Sequence, residues 1–319
     1  MTRSLHTLLH GLIDYAGLFP PATLGMAEAV AEYGRRRMSE EAFALGRFIC
    51  PASRLDEFSA EARTLMPGTY ATSGYREMAQ AGMTDPWGVS VVVDTPLGEA
   101  VDRVDAFNDR HATEEQGLAR ADCLEVRAPE PGFIDEALDA IPADIRPFFE
   151  VPQEVVIGGD PRGFIAAVAG NEGAAAKIRC GGVKAEMIPP SGAIARFIVA
   201  CGAADVAFKA TAGLHHPVRA EQALTYEADP PRAVMHGFLN VFVASALVKA
   251  RLADEAKCVE ILEEADPGAF VLSEEKISFR GELEVDLVGL SRSRERFALG
   301  YGSCSFAEPM DDLRGLGLM

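Results

Sequence analysis

Residues 174–214 decide the fold. They read AAAKIRCGG (174–182), then SGAIARFIVACGA (191–203), then DVAFKATAGL (205–214). The outer two are short apolar runs that end at glycine, the pattern of buried strands. The middle one has helical length and apolar content. Strand, helix and strand in so short a span make a βαβ unit, whose two strands run parallel. Each strand carries a lysine near its centre, Lys177 and Lys209. An ammonium in an apolar strand is costly to bury alone, so the pair predicts acids or a ligand around it.

The same rhythm extends outward. GVSVVVD (88–94) is dominated by β-branched valines, as in a sheet covered on both faces. DCLEVR (122–127), RPFFEV (146–151), the run around Phe48 and RFALGYGS (296–303) read as further strands, and Ile13 opens a short apolar run. The centres Ile13, Phe48, Val91, Leu124, Phe149, Ile178, Phe208 and Leu299 make eight, with helical stretches between most of them. The predicted fold class is therefore α/β, a (β/α)8 TIM barrel. An open doubly wound sheet is the alternative, but no GxGxxG follows the first strand. With no linker or repeat, residues 1–319 read as one domain, and segment 215–295 as an elaborated connection between the last two strands. Within it, Pro230-Pro231 predicts a long apolar helix over 232–252, followed by a helix over 254–265 and extended chain over 270–279. The tail after 303 reads as loop. Ser53 is the expected N-cap of a helix through Leu65.

Bulk properties narrow the function. The 319 residues are 48% hydrophobic and carry a net charge of −18, which excludes a phosphate-reading basic surface and hence a nucleic-acid partner. No run of 18 apolar residues predicts a membrane partner, and no small-residue cleavage site follows the N-terminal apolar stretch. Six scattered cysteines without a CxxC pair suggest buried thiols in a reducing cytoplasm. A homo-oligomer is compatible with the sequence.

In a barrel the chemistry lies at the C-terminal ends of the strands, and side chains two apart share a face. Glu125 and Arg127 are such a pair, as are Lys177 and Arg179, with Glu150 near the end of its own strand. These charges predict a polar barrel mouth, or else a buried salt-bridge network. Two lysines in a partly desolvated site, with Arg179 beside them, suit an amine that attacks a carbonyl to form a Schiff base. Glu125 or Glu150 would move protons. His215 and His216 follow the second lysine strand and are candidates for a base or an anion contact. They lack the spacing of a zinc pair, and no metal or cofactor is expected. Asp14, in the N-terminal IDYAGLFPPA (13–22), and Ser303, in GYGSCS (300–305), are candidate substrate contacts.

Residues 120–214 resemble the class I, Schiff-base aldolases of the deoxyribose-phosphate aldolase type. AAAKIRCGG is similar to that family's lysine strand, and FKATAGL to its FKxAGG pattern. RADCLE is similar to its GADEVD, FFEV to its glutamate-bearing strand, and GYGSCS to its last turn. The resemblance implies a (β/α)8 barrel without cofactor, with Lys177 forming the Schiff base, Lys209 tuning it and Glu125 relaying protons. There are departures. Glu125 replaces an aspartate, Ala212 replaces a glycine, and His215-His216 stand where the family has residues that help bind phosphate. They imply a relative with a different substrate. The expected function is thus a Schiff-base lyase acting on a small anionic carbonyl compound. The alternatives are an isomerase or hydrolase using His215 or His216, and a non-catalytic barrel that binds an anionic metabolite.

Overall fold

The computed structural model of the chain describes residues 1–69, 85–171 and 173–319. Seven short strands come first: β1 (Ile13–Tyr15), β2 (Leu45–Pro51), β3 (Trp87–Val92), β4 (Ala119–Arg127), β5 (Arg146–Glu150), β6 (Ala175–Arg179) and β7 (Ala207–Thr211). Five more, β8 (Ala220–Ala223), β9 (Arg232–Met235), β10 (Phe270–Leu272), β11 (Lys276–Phe279) and β12 (Leu283–Asp286), precede the last, β13 (Ala298–Ser303). β1 to β7 and β13 form a closed parallel barrel, with β13 between β7 and β1. Every predicted strand centre lies in one of these eight strands, and the chain is a (β/α)8 TIM barrel.

The interleaved helices bury one face each on the barrel, as amphipathic helices must. Leu97–His111 turns Ala100, Val104 and Phe107 inward, and Ser191–Ala204 buries Ile194, Phe197, Ile198 and Cys201. Residues 185–204 have the length and hydropathy of a membrane span. Pro189 and Pro190 nevertheless separate a 3₁₀ turn from the helix, whose apolar face is packed in the core. Phe238–Lys249 is apolar all round because it is covered all round: Phe238 through Val248 are buried.

Segment 215–295 does connect the last two barrel strands, but its start differs from expectation. In place of a helix from Arg232, β8 and β9 pair as an antiparallel hairpin, Ala220 opposite Met235. The helix begins only at Phe238, after Gly237, whose backbone is extended and where a Cβ would run into Pro217 O and Val218 Cα. β10, β11 and β12 form a small antiparallel sheet. The tail is not loop: Ala307–Gly315 is a helix, with Pro309 in its first turn, where a missing N–H costs little. An additional short helix, Gln153–Gly158, follows β5. Ser53 is not an N-cap. It lies in a 3₁₀ turn before helix Leu55–Ala62, and its N–H and hydroxyl both donate to Asp94.

Candidate active site at the C-terminal ends of the strands

Alternation along the strands stacks the barrel interior in layers. The lowest is apolar, with Cys123, Phe148 and Ala175 packed with Ala207 and Leu299. Two residues further along the same strands come Glu125, Glu150, Lys177 and Lys209, joined by Asp14 and Ser90. All six are buried. Two residues further again, Arg127, Arg179 and Thr211 reach the cavity above. Parallel register sets the neighbours, with Glu150 beside Lys177 and Lys177 beside Lys209.

Both lysines are paired. Lys209 Nζ donates to Asp14 Oδ2 at 2.5 Å and Glu125 Oε1 at 2.6 Å, with the Phe148 ring centroid 5.6 Å away. Lys177 Nζ lies 2.7 Å from Glu125 Oε2 and 2.6 Å from Glu150 Oε2. Glu125 therefore bridges the two amines, one oxygen to each, and Ser90 Oγ donates to it at 2.7 Å. Arg179 lies 3.8 Å from the other oxygen of Glu150. Three acids thus balance three cations, which is what makes their burial tolerable.

The electrostatics follow. Burial pushes the Glu125 carboxyl up, but the two lysines outweigh it and hold it well below the usual carboxylate range. Glu150 is lowered in the same way, against its burial, by Lys177 and then Arg179. Burial opposes the charge of Lys209, yet Asp14 and Glu125 raise its pKa, so it is a fixed ammonium.

A cavity of about 550 Å³ opens above this layer. Lys177, Glu125, Glu150, Arg127, Arg179, His215 and His216 line it; Lys209, Asp14 and Ser303 do not. Asp14 was expected to touch substrate. Instead its two oxygens are taken by Lys209 and by the Arg47 N–H at 2.6 Å, so that it holds Lys209 within the ionic layer. Ser303, also an expected contact, is buried, and its hydroxyl donates to Ser305 O at 2.6 Å. Alternation explains this, since its neighbours Gly302 and Cys304 are the ones that face the cavity.

The histidines lie on the cavity wall, each held by a separate acid of helix Ala307–Gly315. His215 Nδ1 is 3.2 Å from Glu308 and His216 Nδ1 is 2.6 Å from Asp312. Burial lowers the His215 pKa, but contacts with Cys304 and Glu308 prevail and push it up to about 10. These contacts favour its protonated form. Tyr226, from the hairpin turn, donates to Glu308 at 2.8 Å and lies 3.6 Å from Cys304 Sγ. Among the described residues, no three His, Cys, Asp or Glu side chains are grouped to hold a metal.

The sequence reading missed Ser90, Tyr226, Cys304 and Glu308. Ser90 had a signal, a lone hydroxyl in a β-branched strand. Glu308 and Asp312 had one too, at the four-residue spacing that puts both on one helix face.

The fold and the placement of these charges define the class. This is a (β/α)8 barrel with an ionic floor and a cavity at the strand ends, where barrels of this kind carry their chemistry. Compared with known proteins, the chain matches no family model, no curated protein sequence and no solved structure.

Proposed function

We propose that the chain is a Schiff-base-forming lyase, aldolase-like, that acts on a small anionic carbonyl compound. The observation that carries this reading is the unequal access of the two lysines. Lys177 lines the cavity, whereas Lys209 lies beneath it, locked between Asp14 and Glu125. One amine is placed to meet a substrate and the other to set the field around it.

In this reading Lys177 passes a proton to Glu150, 2.6 Å away, and its free electron pair attacks the carbonyl carbon. The resulting carbinolamine loses water, with a proton returned by Glu150, to give the iminium. The iminium draws in the electron pair of the bond between the next two carbons as it breaks, giving an enamine; the hydroxyl on the departing carbon gives its proton to the Glu150 carboxylate and that fragment leaves as an aldehyde. The enamine takes the proton back at carbon, and water hydrolyses the imine to free Lys177. Glu125, which touches both amines, holds the charge of the floor constant through these steps. Arg127, Arg179 and the His215 imidazolium supply the attraction for an anionic substrate. The contacts that favour protonated His215 weigh against the reading in which it is the base of an isomerase or hydrolase. Complete pairing of both lysines supports the other rival, a barrel that only binds an anionic metabolite.

Borohydride trapping separates them. The protein is incubated with a panel of small aldehydes and oxo acids, reduced, digested and mapped by mass spectrometry. An adduct on Lys177, absent from Lys177→Ala, is expected. No adduct with any member of the panel, or carbon–carbon cleavage that survives in Lys177→Ala, would remove the lyase.

A further inference from the structure

We infer that the carbonyl compound is a 2-oxo carboxylate with an apolar chain, an inference that rests on the imine reading above. Two observations lead to it. The first is the position of the guanidinium groups. Glu150 places one oxygen 2.6 Å from Lys177 Nζ and the other 3.8 Å from Arg179, so amine and guanidinium lie on either side of a single carboxylate group. Arg179 also stands two residues after Lys177 on the same face of β6, directly above it. A substrate carbonyl that reaches Lys177 therefore brings a carboxylate on its neighbouring carbon within the field of Arg179. Arg127 adds a second guanidinium at the end of β4 that pairs with no acid among the described residues, and its planar fork suits a carboxylate.

The second observation is the rest of the wall. Phe19 from the loop after β1, Val183 and Met187 from the loop after β6, and Leu224 and Met235 from the β8–β9 hairpin converge on the same cavity. Leu224 and Met235 are nearly fully buried. A short polar substrate would leave this surface unused, whereas an alkyl chain would be taken out of water by it.

The test compares four probes by the concentration that half-labels Lys177 under borohydride: 2-oxooctanoate, pyruvate (no chain), 2-octanone (no carboxylate) and glyceraldehyde 3-phosphate. 2-Oxooctanoate is expected to label at concentrations about tenfold or more below the other three, the scale set by burying several methylenes. Arg179→Gln should close the gap to 2-octanone and leave the gap to pyruvate; Leu224→Asn should do the reverse. Equal labelling by pyruvate and 2-oxooctanoate, or best labelling by the phosphate, overturns the inference and leaves the imine standing. Calorimetry with 2-hydroxyoctanoate, which has no carbonyl, separates the opposite failure. If it binds wild type and binds Arg179→Gln about tenfold or more weakly, the pocket assignment holds even where no adduct forms. If it does not bind at all, the assignment falls.

Discussion

Lys209→Met is the most telling single change at the floor. The side chain is 2% exposed and neutralises Asp14 and shares Glu125, both of which are also buried. The thioether fills much of the space but leaves Asp14 with only a backbone N–H and Glu125 with Lys177 and Ser90. Removing one partner of a buried ion pair costs roughly 3–5 kcal/mol. With an unfolding entropy of about 2.1 cal/mol/K per residue, that lowers the Tm of a chain this long by about 4–8 °C. The deficit is pH-dependent, and its sign follows from Glu125. Its folded pKa is depressed, so the stability it contributes is complete above the unfolded carboxylate range, near pH 4.3, and fades as pH falls. Wild type and variant should therefore converge in acid. Adding Glu125→Gln removes one of the stranded charges, so the double variant should lose less than the sum of the two single changes. Urea unfolding of all four proteins at pH 7 and pH 3 measures this. A Lys209→Met protein within 1 kcal/mol of wild type at pH 7, or strict additivity in the cycle, would refute the picture of a coupled ionic floor.

His215 has a raised pKa, so the stability from its contacts with Cys304 and Glu308 is complete below the ordinary value of 6.5 and is lost as pH rises through about 10. Glu308→Gln should flatten that decline and bring the His215 NMR titration down toward 6.5; an unmoved titration counts against the pairing. Arg294 is buried and donates to the carbonyls of Leu8, His10 and Ala298. Arg294→Met should destabilise by roughly 2–4 kcal/mol in denaturant titration, with the helix at Arg3–Leu9 loosened in hydrogen exchange. Gly181→Ala brings a Cβ within 2.8 Å of Gly213 Cα, forces the loops after β6 and β7 apart and should cost about 1–3 kcal/mol. It should also weaken Lys177 labelling, since both loops rim the cavity; labelling equal to wild type would show that the rim has no part in binding.

The barrel was legible because its strands are buried on both faces. Continuous apolar runs such as 88–94 have few other uses, and the charges inside them had to meet at the mouth. Glu125, Glu150 and Lys177 were readable as a group because alternation along a parallel strand leaves little freedom. The β8–β9 hairpin was not readable. Its residues are half exposed, its pattern is short, and Pro230-Pro231 before an apolar run resembles the start of a helix. Asp14 was expected to face the cavity and pairs with Lys209 instead. A sequence shows that an acid lies near a barrel end but not which lysine of a distant strand it meets. Ser303 failed for a related reason, because a shift of one residue along a strand turns a side chain from cavity to wall.

The position of β13 also governs how the molecule is made. The chain emerges from β1 onward, yet the strand that closes the circle comes last, 195 residues separate the two ends of the Asp14–Lys209 pair, and β13 lies between their strands. Until residues 298–303 insert, β1 and β7 present two unpaired edges and Lys209 faces Asp14 across an open seam. Glu125, Glu150, Lys177 and Lys209 lie on strands that pair with one another without β13, so ring closure adds Asp14 to a floor whose other members are already neighbours. A chain cut before β13 would expose two strand edges and leave Lys209 without one of its two carboxylates.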